Sequence, residues 1–438
     1  MIEAVVGIGA FVLILMGLPL FVGFGLLSIL CYHYIAQIEI ASMIAEFYRF
    51  VGAPGVMAIP LFAFSGYLLA ESGAPKRLVE VSQAFFGWMP AGLAMVCLIS
   101  CSIFTALTGA SGVTIIAIGG LLFPALIGAG YKEEFNLGLL VSNGSLGLLL
   151  PPSLPVIIYA LVAKVDVEQL FIAGILPCLL LIALLFAYVW FRSAKWNILS
   201  QPFHLKHCYE SLWRSRYEVP LPFIVIGGIY SGLFTAAEAA AITAFYVLVV
   251  EVLILRDISL RKLFSIMQDA MMMVGAIIAI LGLALALTNF IIDQQIPMKL
   301  FDYLKTVLPN RYVFLIALNV FLLIVGCLMD IFSAIVVTVP LIVPIAQQFG
   351  VDPIHLGVIF LANLEIGFIT PPVGINLFIA SFRFNRPITE LYRASLPFLL
   401  VLIVGLLIIT YWESLSLFLP EISGMRAHDL PAYLRGVR

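Results

Sequence analysis

The segment Asn143-Gly144-Ser145-Leu146-Gly147-Leu148-Leu149-Leu150-Pro151-Pro152-Ser153 returns 220 residues later as Asn363-Leu364-Glu365-Ile366-Gly367-Phe368-Ile369-Thr370-Pro371-Pro372-Val373. Two Asn-x-x-x-Gly-x-x-x-Pro-Pro strings at one offset mark an internal duplication. The offset aligns 142–177 with 362–397 without a gap, placing Ala160, Leu176 and Pro177 on Ala380, Leu396 and Pro397, and it also puts Pro124 on Pro344. An offset of 222 puts Pro75 on Pro297. Proline has no N–H, so each Pro-Pro pair deprives the carbonyls four residues earlier of their helical donor. Those are Gly147 and Leu148 in one half, Gly367 and Phe368 in the other. Residues before proline also leave the α region. Both segments are therefore expected to be broken helices with carbonyl oxygens exposed beside Asn143 or Asn363 and beside Ser153 or Thr370.

The surroundings place these breaks in lipid. Of 438 residues 63% are hydrophobic, and only 22 Lys+Arg and 24 Asp+Glu are present, far below the roughly 25% charge of a soluble domain. Apolar runs recur that are long enough for a ~30 Å hydrocarbon core. The fold class is thus all-α, a polytopic membrane protein. A net charge of −2 without a basic tract argues against nucleic acid as a partner, and the alternation of a barrel wall is missing. The N-terminal apolar stretch lacks a basic leader and reads as a retained span.

Spans are expected at 3–16, 19–34, 50–71, 88–128, 135–163 and 169–192, then at 219–234, 236–255, 268–292, 312–349, 354–382 and 391–419. The fourth segment of each half is too long for one crossing. Its middle is interrupted, by Thr108-Gly109-Ala110-Ser111-Gly112 in one half and Met329-Asp330-Ile331-Phe332-Ser333 in the other. A re-entrant helical hairpin fits both, because irregular backbone at membrane depth needs a cavity to line. Each half then has five crossings, and an odd number makes the halves inverted. The expected division is a first repeat over 1–192, a cytoplasmic linker over 193–218, and a second repeat over 219–438. With outside termini the inner side collects fourteen Lys and Arg against eight, a bias that comes from the first half.

Carbonyls and neutral side-chain oxygens form the ligand set of a hard monovalent cation such as Na⁺. Each hairpin tip opens a new helix, whose free N–H groups favour an anion. No Lys or Arg lies near the four breaks, so an anionic substrate is held by amides, hydroxyls and co-bound Na⁺. Asp330 is placed either to cap the helix after the second tip or to compensate a cation. Glu365 either holds the second broken helix or carries a proton. Glu238, in Thr235-Ala236-Ala237-Glu238, reads as a helix cap, and Glu71 as a solvated helix end. The six cysteines lack metal-ligand spacing and read as small core residues. P-loop, His-Glu-x-x-His and Gly-x-Ser-x-Gly motifs are absent, which disfavours an enzyme.

The strings Leu149-Leu150-Pro151-Pro152-Ser153-Leu154-Pro155 and 363–378 resemble the large membrane subunit of tripartite ATP-independent periplasmic (TRAP) transporters. So do Met329-Asp330 with Pro340 and Pro344, Asp352-Pro353-Ile354-His355, and Gly232 with Thr235 and Glu238-Ala239-Ala240. The resemblance covers essentially the whole chain. It implies an ion-transporter fold in a bacterial inner membrane, a fixed scaffold (1–71 and 219–292), a moving transport domain (transport elements 88–163 and 312–382) and Na⁺ coupling without other cofactors. The implied partners are a small four-helix membrane subunit and a periplasmic binding protein that delivers a small carboxylate, such as a C4-dicarboxylate or sialic acid. The site residues carried over are Gly109, Ser111, Asn143, Gly147, Gly326, Asp330, Asn363, Gly367 and Thr370 for Na⁺. For substrate they are Ser111, Gly112, Pro152, Ser153, Ser333, Pro372, Gly374 and Asn376. The first tip departs from the family's small-Ser-Ser pattern at Ala110, which loses a side-chain ligand. A stand-alone Na⁺/dicarboxylate symporter is the alternative within the same class.

Overall fold

A computed structural model describes residues 20–35, 39–89, 91–193, 196 and 203–423. The expected span at 3–16 lies outside them, as do 194–195 and 197–202 of the linker. Every regular element among the described residues is helical. Among the described residues seven helices are long and apolar enough to cross a membrane, or up to nine if each bent pair is counted as one span.

Helix boundaries repeat at the offset read from the prolines. The first hairpin has arms Gly92–Thr108 and Ser111–Gly128, and the second has arms Arg311–Leu328 and Ile331–Gln348. Moving Ser111–Gly128 by 220 gives both ends of Ile331–Gln348. The first broken helix runs Glu133–Asn143, a tight turn Leu146–Leu149, then Leu154–Ala163; the second runs Pro353–Gly367, then Ile375–Phe384. The first is bent by 47° at its break, and the Pro151-Pro152 and Pro371-Pro372 peptides are both cis. Arms of 18 residues are about 27 Å long at 1.5 Å per residue, so a tip at mid-membrane requires them to tilt or to project from the bilayer.

Ala58–Glu71 is followed by Ala74–Phe86, and Leu260–Asp293 by Ile296–Val307. Pro75 and Pro297 lie in the first turns of the shorter helices, where the missing N–H costs nothing. These two helices are more polar than the spans. Two expected spans are divided, and the one at 268–292 begins earlier, at Leu260. The one at 50–71 is divided into Ile40–Val51, a turn Pro54–Met57 and Ala58–Glu71, since Pro54 cannot continue the preceding ladder. The one at 391–419 ends at Tyr411, and Glu413–Ile422 follows as a separate helix.

Thr235 and Glu238 form a reciprocal capping box for Ala236–Leu248, satisfying two otherwise free donors. Glu71 pairs with Lys262 at 2.8 Å and is half exposed. Part of the linker is ordered by packing: Leu205–Arg214 lies against Ala74–Phe86, with the Cys208 thiol donating to the Ala84 carbonyl at 3.2 Å. Beside it the Arg77 guanidinium meets Glu218 (2.5 Å), Glu251 (3.0 Å) and Asp257 (2.6 Å). Burial alone would raise the Asp257 carboxyl, but Arg77 and the Gly73 N–H hold it below its ordinary range. First half, linker and second half are thereby joined at one guanidinium.

Candidate cation and substrate site

Each hairpin packs through its second arm on the other half's broken helix: Ser111–Gly128 on Ile375–Phe384, and Ile331–Gln348 on Leu154–Ala163. Each first arm lies against its own half's break. Gly147 faces the Ser102 carbonyl so closely that a Cβ there would lie 2.1 Å away, and a Cβ on Gly367 would lie 2.6 Å from the Gly326 carbonyl carbon. Only glycine permits this approach. Tips and breaks are therefore brought into one region by the two repeated glycines.

In the first half the Asn143 amide nitrogen donates to the Cys97 sulfur at 3.5 Å, and its Oδ1 is buried without a partner. The Ser153 hydroxyl is likewise buried and unpartnered. Gly109, at φ +67°, turns the tip and faces Leu154. In the second half the Asn363 amide nitrogen donates to Asn319 Oδ1 at 2.7 Å and to the Ile359 carbonyl at 2.8 Å, again leaving Oδ1 buried without a partner. Buried polar atoms are nearly always satisfied. Asn136 Oδ1 is left over as well, but Asn143 and Asn363 are the two related by 220, and neutral amide oxygen is a donor type that suits Na⁺.

The carbonyls differ from expectation. Gly147 O accepts from Leu150 N and Gly367 O from Thr370 N, both at 3.0 Å, while Phe368 O accepts from Asn376 N at 3.1 Å. A tightened turn before each Pro-Pro brings in the N–H three residues on. Each oxygen keeps a second lone pair, so ligation stays open although the oxygens are not orphaned. Thr370 donates to the Ile366 carbonyl at 2.9 Å and is half-buried. Asp330 caps its helix: Oδ1 accepts from Phe332 N and Ser333 N at 3.0 and 3.1 Å, and Oδ2 from the Ser333 hydroxyl.

The substrate candidates meet across the halves. Ser111 donates to Asn376 Oδ1 at 2.8 Å, the Asn376 amide nitrogen is buried without an acceptor, and Gly112 faces Ile379. Gly374, at φ +54°, opens the helix carrying Asn376 and donates to the Cys327 carbonyl at 3.0 Å. Pro152 is buried, whereas Pro372 is exposed and its carbonyl accepts from Tyr392. The Glu365 carboxylate is buried with neither oxygen partnered, so no side-chain hydrogen bond holds the broken helix there.

Sequence reasoning missed Thr105, whose hydroxyl lies 2.8 Å from the Gly144 carbonyl and 2.7 Å from Thr114 Oγ1. It also missed Asn319, whose amide nitrogen donates to Thr410 Oγ1 at 3.1 Å. A signal existed for the second, since Asn319 is the sole amide in the apolar arm Arg311–Leu328.

Comparison with known proteins agrees with this architecture. The family described as "Tripartite ATP-independent periplasmic transporter, DctM component" matches residues 8–415. The C4-dicarboxylate TRAP transporter large permease protein DctM of Pseudomonas aeruginosa is 34% identical over 84% of this chain and 87% of its own length. The isethionate TRAP transporter permease protein DctMQ of Oleidesulfovibrio alaskensis is 32% identical over 94% of this chain, which spans 65% of that longer protein. Among solved structures, the YdaH transporter of Alcanivorax borkumensis superposes with a TM-score of 0.60 over 85% of this chain and 87% of that one at 16% identity, a likeness of fold. These relatives are membrane permeases, not enzymes, and the chain belongs to the DctM family, the large membrane component of TRAP transporters.

Proposed function

We propose that this chain is the translocating subunit of a Na⁺-coupled uptake system, which imports a small carboxylate handed over by a periplasmic binding protein and works beside a small four-helix membrane subunit. The observation that carries the cation reading is the pair of buried, partnerless amide oxygens, Asn143 Oδ1 and Asn363 Oδ1. Each lies one helical turn before a glycine carbonyl with a lone pair to spare, so each half supplies neutral oxygen ligands.

The substrate reading rests on donors without cations. The Asn376 amide nitrogen is buried and unused, and the helix after the first tip opens at Ala110 without a side-chain cap, which leaves its first N–H groups for an anion; after the second tip Asp330 already takes Phe332 N and Ser333 N. Two of the related permeases are named for C4-dicarboxylates and for isethionate, both small organic acids. Reciprocal packing of hairpins and broken helices supports a body made of 88–163 and 312–382 from two inverted halves that moves against the remaining helices, elevator fashion, and the Lys and Arg bias supports periplasmic termini in the bacterial inner membrane. Val167–Ser193 and Ile388–Tyr411 also press on the broken helices: a Cβ on Gly138 would lie 2.1 Å from the Ala394 carbonyl. Such contact favours their moving with that body.

Uptake of a labelled C4-dicarboxylate into proteoliposomes holding both membrane subunits, with the binding protein outside, tests the reading. Transport should require an inward Na⁺ gradient and no ATP. Equal uptake with K⁺ in place of Na⁺ would sink it.

A further inference from the structure

We infer that Asn319 is a positioning residue for the second cation site: it holds the Asn363 amide so that Oδ1 stays presented as a ligand. This rests on the Na⁺ reading above. Orientation of an asparagine amide follows from what its neighbours can accept or donate. The Ile359 carbonyl can only accept, so the group 2.8 Å from it must be the Asn363 NH₂. The second amide hydrogen is taken by Asn319 Oδ1 at 2.7 Å. Both donors are thus consumed, and Oδ1 is left buried with nothing to accept from.

Asn319 is itself held. Its NH₂ donates to Thr410 Oγ1 at 3.1 Å, and the Thr410 carbonyl lies 3.3 Å from His355 Nε2. Because that carbonyl can only accept, Nε2 carries the proton, and in the neutral ring Nδ1 accepts from the Ser416 hydroxyl at 3.1 Å. Asn319, Thr410, His355 and Ser416 are all buried. The chain of bonds ties the ligand on one helix to three others. In the first half the corresponding donor goes to the Cys97 thiol at 3.5 Å, a weak acceptor. The second site is therefore the better preorganised of the two, and its affinity is the one that depends on a neighbouring amide.

The test is equilibrium binding of ²²Na⁺ to the purified full-length chain, together with the rise in unfolding temperature that Na⁺ induces over K⁺. Asn319→Leu keeps the volume and removes the acceptor. It should weaken the tighter Na⁺ component at least tenfold and abolish most of the Na⁺-induced rise, while the midpoint in K⁺ moves little. Asn319→Asp keeps the acceptor for Asn363 and should bind Na⁺ at least as tightly as the wild type. Should Asn319→Leu not fold, Asn319→Ser, too short to reach Asn363, replaces it with the same expectation. Wild-type affinity in the truncated variant overturns the inference, as does loss in Asn319→Asp equal to that in Asn319→Leu. A wild-type chain that binds no Na⁺ overturns the cation reading itself, and the positioning role with it.

Discussion

Thr370 illustrates how a single hydroxyl divides its capacity. Its hydrogen goes to the Ile366 carbonyl at 2.9 Å and its backbone N–H to the Gly367 carbonyl at 3.0 Å, which leaves the hydroxyl oxygen its lone pairs. Thr370→Val keeps the shape and deletes that oxygen. Apparent Na⁺ affinity in the uptake assay should fall about fivefold, the equivalent of roughly 1 kcal/mol for one polar contact, with expression unchanged. Unaltered Na⁺ dependence would place the ligand elsewhere. Asn143, Asn363, Ser153 and Thr370 were legible because Pro-Pro breaks a helix by covalent chemistry alone, and a duplicated break points to the polar residues around it. Thr105 was not, being one of several hydroxyl residues in its arm, and Asn319 stood out only as the one amide in an apolar arm, which looks alike whether it faces lipid or another amide. Their role depends on which helix lies opposite, and that is fixed only by tertiary packing.

At the level of helices, close approach sets what the elements can do. A Cβ at Gly367 would press on backbone atoms of Gly326 and Cys327 within 3.0 Å, whereas Gly227 has nothing within 4 Å. Gly367→Ala should lower the unfolding temperature by an amount that reflects about 1–3 kcal/mol of overpacking and weaken Na⁺ binding, while Gly227→Ala should do neither. Equal behaviour of the two in a thermal scan would show that the hairpin yields freely. The Arg77 junction makes a second demand. Glu218 and Glu251 beside it are buried, and removing the cation would leave them uncompensated, so Arg77→Met should cost about 3 kcal/mol or more. The junction also carries a pH dependence. Asp257 is held below its ordinary value in the folded chain by Arg77 and the Gly73 N–H; its contribution is present above the unfolded value of about 3.9 and is lost as pH falls through the folded one. Asp257→Asn should flatten the acid limb of a stability profile taken between pH 5 and 3, and an unchanged limb would count against the contact. Hairpins, broken helices and capped starts were readable from proline, glycine and Thr-x-x-Glu signals. The packed linker helix and the junction were not, since an amphipathic segment with scattered charges reads as solvated until its partners are known.

For the molecule as a whole, the proposed function makes the reciprocal packing of each hairpin on the other half's broken helix part of a body that exposes its tips in turn. Both tip serines are buried in this structure: Ser111 is 6% exposed and Ser333 3%, and Ser111 is bonded to Asn376. A cysteine at either position should therefore react slowly with an impermeant thiol reagent, and react faster only in conditions that populate an open state. Because the hairpins enter from opposite sides on the proposed topology, Ser111→Cys should be labelled from the cytoplasmic side and Ser333→Cys from the periplasmic side. Na⁺ with substrate should slow both. The native thiols have to be replaced first, above all Cys101 and Cys327, which lie on the hairpin arms; both are buried, so Ala or Ser substitutes must be checked for folding. Oriented vesicles in which both positions react from the same side, with no dependence on Na⁺ or substrate, would remove the inverted arrangement and the moving body together. A chain with one open face throughout would then have to pass its substrate by some route other than the two tips.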